Sequence, residues 1–438
     1  MRVTMILLAV VLTITGCSST PAPAPQPEPG LLTVGIGQPA NGPAADRMIS
    51  NALYTPLVDY DPATGKVTLR AAESVSSSPD QITWTVKLRP GKYHDGAPVT
   101  AKSYVDAWKQ LPIPVEKIEP ADELTIRLTT KSPASYVPAF LASTRALPVR
   151  EGKELDGNGP FRLDGPWDNG KGGRLVRINP IGAKARTVDL KVYGDLTQAF
   201  DEVKAGKLDV AVDFPGNRHH AMHQDFAARH VIWPKPSASY VVFGPEVADP
   251  AARYAIALSI NRKAVTEGPL DDQFDPAARL YAPAIAPGET SGVCRACNFD
   301  AATAKTLRTQ SGLSGVNFTE GEPAQLKAVI DQVSANLALP TGSGPAVSVR
   351  QLDFELDSPH AVFKDLNIPS VQQFVDAAAA AADPAVQAEN YRLAENEILR
   401  ELPVAPLWTK HGHAVWAERV RDVTANTAHD IDLTVITL

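Results

Sequence analysis

The chain has 438 residues, 44% of them hydrophobic and 21% charged, with a formal net charge of -7. A chain this long exceeds one compact core and requires two or three lobes. Its acidic balance argues against a nucleic-acid partner, because such binders carry a basic stripe.

In chain order, Arg2 comes first, followed by an unbroken apolar run from Met5 to Leu12 and then Ile14-Thr15-Gly16-Cys17. A positive start, a short apolar stretch and a small-residue cleavage site describe a secretory signal. A spanning helix needs about twenty apolar residues, and this run is shorter. The Ile-Thr-Gly-Cys ending resembles a bacterial lipobox, which implies acylation of Cys17 and an anchor on the extracytoplasmic face of the cell membrane. An ordinary signal with a cysteine near its cut is the alternative. Residues 1–17 are thus expected to be a lipoprotein signal. Residues 18–30, SSTPAPAPQPEPG, are expected to form a linker. Alternating proline favours extended polyproline geometry, a semi-rigid spacer of about 3 Å per residue. Beyond residue 30 no apolar run is long enough to span a bilayer.

Leu31 to Ile36 reads as a buried strand, followed by the Gly37 to Gly42 turn, a helix over Ala45 to Leu57 and a loop at Asp59 to Gly65. Gln81 to Leu88 alternates sides like a half-exposed strand, and Arg89-Pro-Gly breaks it. Thr100 is a good N-cap for a helix over Ala101 to Gln110. Strands are predicted at 115–118 and 124–129, and a strand-rich stretch from Asn158 to about Val192. A helix over Thr197 to Ala205 and strands at Leu208 to Asp213 and Ser239 to Phe243 come next. Helices are predicted from Pro250 to Arg262, over 301–310 behind the cap Asp300, and from Pro323 to Leu337. After a strand at Val347 to Phe354 come helices over Gln372 to Ala382 and Ala385 to Leu402, then a strand at Val404 to Trp408. Helices and strands alternate without a short repeat, which places the chain in the mixed α/β class.

Cys294 and Cys297 form a Cys-x-x-Cys pair. An oxidising compartment favours a small disulfide there, over redox work or free thiols, and one pair cannot complete a four-ligand zinc site. His219-His220-Ala-Met-His223 and His411-Gly-His413 raise a metal reading, since i,i+4 histidines on a helix can share an ion. Asn217-Arg218 and Gln224-Asp225 make the first group read as a solvated loop instead, so no metal ligand and no cofactor is assigned. No Gly-x-Ser-x-Gly elbow, His-Glu-x-x-His motif or phosphate-cradling loop occurs, so no enzyme is expected.

Several motifs occur together in order. They are Tyr54-Thr-Pro-Leu57, the Asp61 to Lys66 turn, Trp84-Thr-Val-Lys-Leu-Arg-Pro-Gly-Lys-Tyr-His-Asp-Gly96 and Pro98-Val-Thr-Ala101. Asn158-Gly-Pro-Phe161, Ala205-Gly206 with Leu208-Asp209, Arg253 to Arg262, Asn298-Phe-Asp300 with Ala304 and Leu307, and Leu402-Pro403 with Pro406-Leu407 follow. This series resembles the family 5 solute-binding proteins, the extracytoplasmic receptors of peptide, nickel and related ABC importers. The resemblance covers nearly the whole mature chain. It implies a two-lobed periplasmic-binding-protein-like α/β fold (type II, cluster C-like) with mixed sheets. Residues 31–245 would form the N-terminal lobe with an inserted subdomain, and 246–438 a second lobe with a C-terminal return to the first. It further implies a monomer that hands a peptide or other amine-bearing solute to an ABC permease.

The chain departs from the family in three places. The segment between Trp108 and Glu116 is short. The stretch after Val347 to Phe354 is reduced to ELDSPHAVFKDLNIPS; Asp353 and Asp357 remain from the family's Asp-rich loop, but its Trp does not. Ile181-Gly182 stands where an aromatic pair is usual. A crevice between two lobes that closes on its ligand would take polar groups from turns after strand ends. Gln38, Asn41, Tyr240, Asp353 and Phe354 are the candidates, each with a structural alternative: Gln38 and Asn41 as turn residues, Tyr240 as core and Asp353 as a strand-end cap. The cropped loop implies a smaller or more open site than a peptide receptor has. Two rival functions are a homologue that has lost transport and serves a structural or regulatory role in the envelope, and a receptor for nickel or a metal chelate.

Overall fold

The computed structural model describes residues 28–61, 64–109, 115–282, 285, 294–354 and 358–438. Cys17 with the signal, most of the proline-rich spacer, Gly292 and Asp357 lie outside the described residues.

A ten-stranded mixed sheet runs through both lobes. Its strands are β1 (Leu31–Ile36), β2 (Phe161–Asp168), β3 (Gly172–Arg177), β4 (Thr187–Val192), β5 (Val210–Val212), β6 (His230–Phe243), β7 (Phe274–Pro276), β8 (Asn317–Phe318), β9 (Ala346–Asp353) and β10 (Val404–Trp416). The spatial order is β2-β3-β4-β1-β5-β10-β6-β9-β8, with β7 pairing off this path onto β10. β1 lies parallel to both neighbours; it is buried along most of its length, as its unbroken apolar composition requires.

The two long strands, β6 and β10, carry the chain between lobes. His230 to Pro234 pair with the far end of β10, from His411 to Val415, whereas Ala238 to Val242 pair with its start, Val404 to Thr409. Trp233 belongs to a first hydrophobic core with Leu32, Val34, Ile49 and Phe161. Ala238 and Tyr240 belong to a second with Ile256, Val329, Val347 and Leu407. The crossing therefore falls at Lys235-Pro236-Ser237, where the register shifts. Proline lacks the ladder N–H and is confined to edges and bulges, so Pro234 and Pro236 mark this slip and hide the strand from a periodicity reading that begins it at Ser239.

A separate four-stranded antiparallel sheet, in the order Ala72–Ser77, Thr83–Leu88, Thr125–Thr130, Val115–Pro120, forms a subdomain of the first lobe. Three helices of the N-terminal lobe bear on the site: α1 (Arg47–Leu53), α2 (Ala101–Trp108) and α3 (Val137–Ala142). α2 buries Tyr104, Val105 and Trp108 against this sheet, in a core with Trp84, Val86 and Leu128, and starts on a Thr100–Ser103 capping box. The second lobe supplies α4 (Pro359–Leu366), α5 (Gln372–Ala380) and α6 (Pro384–Glu401).

Three expected elements differ. Asp59 to Gly65 is not a plain loop, because Val58–Asp61 and Lys66–Leu69 pair as a hairpin. The helix from Pro250 breaks after Leu258, and Asn261 caps a new one, Arg262–Glu267, by accepting from Ala264 N–H. α1 is one short helix behind a single 3-10 turn at Pro43–Ala45.

Candidate functional site

The motifs that carry the family resemblance build scaffold. Thr55 N–H donates to Asn158 Oδ1 at 3.1 Å, and Tyr54 Oη donates to the Glu154 carbonyl at 2.9 Å. Gly159 N–H reaches Leu53 O at 2.7 Å. A Cβ at Gly157 would stand 2.0 Å from that carbonyl oxygen, so only glycine permits the approach. Tyr93 Oη donates to Pro148 O at 2.8 Å, and the His94 ring bonds Gly159 O. These contacts fix the first lobe and leave the cleft to other residues.

The crevice at the crossing has a volume of about 360 Å3. One wall is the loop from Pro39 into α1. The floor is Lys235 to Ser237 and Lys410 on the crossing strands, and the far wall is Asp353 and Phe354 at the end of β9. Asn41, Asp353 and Phe354 are thus brought together. Gln38 is exposed and does not line this crevice. Tyr240 corrects the expectation outright. Its ring is 0% exposed in the second core, and its hydroxyl donates to the Leu280 carbonyl. Phe354 is also a core ring, 1% exposed; its contribution to the cleft is its backbone. Asp353 is exposed and accepts from Gln351 Nε2 at 3.2 Å, so in this conformation it is not a desolvated charge in need of a buried cation.

Several residues of the crevice escaped the sequence reading. Arg47 Nη1 donates to Thr427 O at 2.6 Å and Nη2 to Phe354 O at 3.2 Å. One guanidinium therefore ties α1 and the C-terminal segment to the second lobe. Lys235 Nζ sits 2.6 Å from Asp213 and 3.5 Å from Asp430, and Trp233 Nε1 donates to Asp430 at 2.8 Å. Burial alone lowers the Lys235 ammonium, but Asp213, Asp430 and Asp46 outweigh it and hold the group well above its ordinary value. Burial likewise raises Asp213, and the facing Lys235 overrides this to hold it low. Asp46 caps α1 through Ile49 N–H; burial pushes its carboxyl up to about 6. Among the described residues no ion pair involves Lys410, which faces the same space. A spacing argument cannot find these groups, because the fold gathers them from segments far apart in sequence.

A neighbouring crevice of about 540 Å3 continues the cleft past Thr427, lined by Asp59, Tyr60, Ile232, Trp233 and His429 among others. A larger hollow, about 960 Å3, lies within the N-terminal lobe between α2 and Arg145 to Glu154; none of the residues expected in the site lines it. At the outer side of the cleft the lobes touch again. Tyr136 stacks on His360, and Ser135 N–H donates to Ala379 O at 2.8 Å.

Cys294 and Cys297 are joined as a disulfide, with Cα atoms 5.2 Å apart. The bridge lies in the second core, where the buried Arg262 guanidinium donates to Cys297 O and Pro406 O at 3.0 and 2.8 Å. The expected solvated loop at His219 to His223 is instead the helix His219–Phe226. Among the described residues no group of three or more His, Cys, Asp or Glu side chains could hold a metal ion, and no helix is long and apolar enough to cross a membrane.

Comparison with known proteins agrees with this architecture. The chain is 20% identical over 446 residues to a Brucella ovis protein named for peptide binding in ABC transport, covering 84% of each. It is 25% identical to the periplasmic murein peptide-binding protein MppA of Escherichia coli over 250 residues, 46% of each chain. Among solved structures, the unliganded open form of MppA superposes with a TM-score of 0.75 at 18% identity, covering 94% of this chain and 98% of that one. OppA of Haemophilus influenzae, in complex with RPPGFSPFR, gives 0.70 at 16% identity, covering 94% and 99%. Residues 66–347 match the model for the middle region of the bacterial extracellular solute-binding proteins, family 5, and the chain belongs to that family of ABC-transporter binding components.

Proposed function

We propose that this chain is a lipid-anchored receptor, held at the membrane through Cys17, that captures a short zwitterionic peptide and delivers it to an ABC permease. The observation that carries this reading is that an exposed carboxylate, Asp353, and the ammonium of Lys410, which makes no ion pair among the described residues, line one inter-lobe crevice. A free α-amino group and a free carboxylate complement those two charges, and a neutral sugar does not. The crevice volume, about 360 Å3 with about 540 Å3 beyond Thr427, suits a ligand of two or three residues, in the ordinary range for small-molecule sites. Peptide binding by the relatives supports the same substrate class.

The test is a thermal-shift screen of the purified protein with di- and tripeptides, their N-acetylated and C-amidated forms, sugars and nickel. A true solute at a hundred times its dissociation constant adds about 2.7 kcal/mol of stability. Stabilisation by free peptides that blocking either terminus removes supports the reading. Binding of none of the peptides, or equal binding of blocked ones, sinks it; the first result favours a homologue that has given up transport.

A further inference from the structure

The solute cleft lies at one end of the first-lobe strands, and their opposite end carries a surface that solute capture does not use. β1, β4 and β5 run parallel, with Leu31 beside Thr187 and Val34 beside Val210. The C-terminal end of β1 leads from Ile36 to Pro39 in the cleft wall, so the N-terminal ends of all three point the other way. β10 finishes at that remote end and β6 starts there, since Trp416 pairs with Val210 and His230 with Val415.

Three features meet here. The first is the root of the tether. Gly30 O accepts from Arg186 and Thr187 N–H at 2.8 and 3.1 Å, so the chain running back from Leu31 towards Cys17 leaves beside the start of β4. Residues 18–27 separate Cys17 from Glu28, a reach of at most about 40 Å even fully extended.

The second is an apolar hairpin tip. Arg177 N–H on Arg186 O, 2.8 Å, closes the connection from β3 to β4, and its tip presents Ile178, Pro180 and Ile181 to solvent. The two isoleucines are 43% and 58% exposed, and Ile181 is the most exposed large apolar side chain among the described residues.

The third is positive charge. Lys184 and Arg186 follow the tip. Lys184 bridges to Thr437, whose carbonyl accepts from Arg421 N–H at 2.9 Å. Arg421 in turn lines a crevice of about 480 Å3 with Arg229, Trp416 and Glu418. Arg229 and Arg421 direct their guanidinium groups to Trp416 O and Val420 O at 2.6 and 2.9 Å. Among the described residues neither they nor Lys184 and Arg186 pair with a carboxylate. The nearby carboxylates Glu28, Asp209 and Asp422 are already held by Arg174, Arg419 and Thr437, which leaves Glu418 facing four cations.

We propose that this end of the first lobe, from the 178–181 tip to the crevice of Arg229 and Arg421, is a docking face for a bilayer with anionic headgroups. The isoleucines enter the headgroup region and the cations meet lipid phosphates; apolar insertion and attraction to anionic lipid reinforce each other. The inference rests on the lipid-anchor reading, because the tether is what keeps this face within reach of the membrane. A chain docked this way holds its cleft on the side away from the bilayer, open to arriving solute, and lifts off to meet a permease.

The experiment uses the acylated full chain on vesicles of phosphatidylcholine, with and without phosphatidylglycerol. Ala183→Cys beside the tip and Ala121→Cys on the four-stranded subdomain, both exposed, are each labelled with a fluorophore and challenged by a quencher fixed in the lipid headgroups. Cys294 and Cys297 are bonded to each other, so the new thiol takes the label. At least twofold stronger quenching at 183 than at 121 is expected, and more with phosphatidylglycerol present. Ile178→Ser combined with Ile181→Ser should abolish the difference. Lys184→Glu combined with Arg186→Glu should remove its dependence on phosphatidylglycerol. Neither pair should change flotation with the vesicles. Equal quenching at both positions on a chain that still floats overturns the docking face and leaves the anchor standing; a chain that does not float overturns both. Quenching at 183 that appears only once a permease is reconstituted assigns the face to that protein and overturns the lipid proposal.

Discussion

Tyr136 of the N-terminal lobe stacks on His360 of the second lobe, ring centroids 3.9 Å apart and planes 14° from parallel. Tyr136 caps α3 and His360 lies in the first turn of α4, so the stack is a contact between the two lobes. Burial pushes the His360 imidazole down to about 4, and the nearby Lys364 ammonium adds to the shift. A depressed histidine pKa disfavours the charged form wherever the lobes hold this ring buried in the stack. Above the ordinary value near 6.5 the ring is neutral in every state and pH has no effect through it. As pH falls from about 6.5 towards 4, a chain in which the stack is broken takes up a proton that the stacked chain refuses, and the contact between the lobes weakens.

Solute affinity measured between pH 7.5 and 4.5 should therefore decline in wild type with a slope of up to one proton. In His360→Phe, which keeps an aromatic face for Tyr136, that slope should be smaller. Parallel profiles for the two proteins would rule out His360 as the source.

Arg47 makes the second bridge. Its removal leaves the carbonyls of Phe354 and Thr427 without the donor they now share, and a buried acceptor so stranded costs about 1–3 kcal/mol. Arg47→Ala should lower solute affinity by a comparable amount. Arg47→Lys should recover only part, because one ammonium cannot repeat the guanidinium's fork. Full affinity in Arg47→Ala, measured by calorimetry, would show that closure does not pass through this contact.

Local rules marked the scaffold well and the site poorly. The Pro323–Leu337 helix was visible from its proline start, the Ala301–Ser311 helix from Asp300, whose carboxylate accepts from Ala302 and Thr303 N–H, and β1 from its apolar run. Asn41, Asp353 and Phe354, candidates because the resemblance puts turns after strand ends at a cleft, do line one crevice. Lys235, Lys410 and Asp430 are not among those candidates, since their meeting depends on β6 and β10 crossing together. The two prolines of β6 oppose strand signals and shorten it in a sequence reading, and Tyr240 belongs to the core because Ser237 to Val241 are buried on both faces of the sheet.

Anchoring is tested on Cys17. Two or more acyl chains hold a protein stably, at about 0.8 kcal/mol per buried methylene. Wild type should fractionate with membranes, and Cys17→Ser should appear in the medium or as uncleaved precursor. Processing and membrane retention identical to wild type would remove the lipid anchor from the proposed function.

Charge reading in the cleft rests on Asp353 and Lys410. If Asp353 receives the solute's ammonium once the lobes close, Asp353→Ala removes a charge-assisted hydrogen bond worth about 1.5–3 kcal/mol. Free-amine peptides should then lose roughly ten- to hundredfold in affinity by the usual conversion of 1.4 kcal/mol per tenfold. N-acetylated analogues, already weak, should barely change. Lys410→Ala should do the same for the free carboxylate against the amide. The contrast between free and blocked peptides in each variant distinguishes this from a general loss of closure, which would weaken both alike. Calorimetry in which Asp353→Ala reduces both peptide forms equally would assign Asp353 to the hinge and leave the ammonium site elsewhere in the cleft.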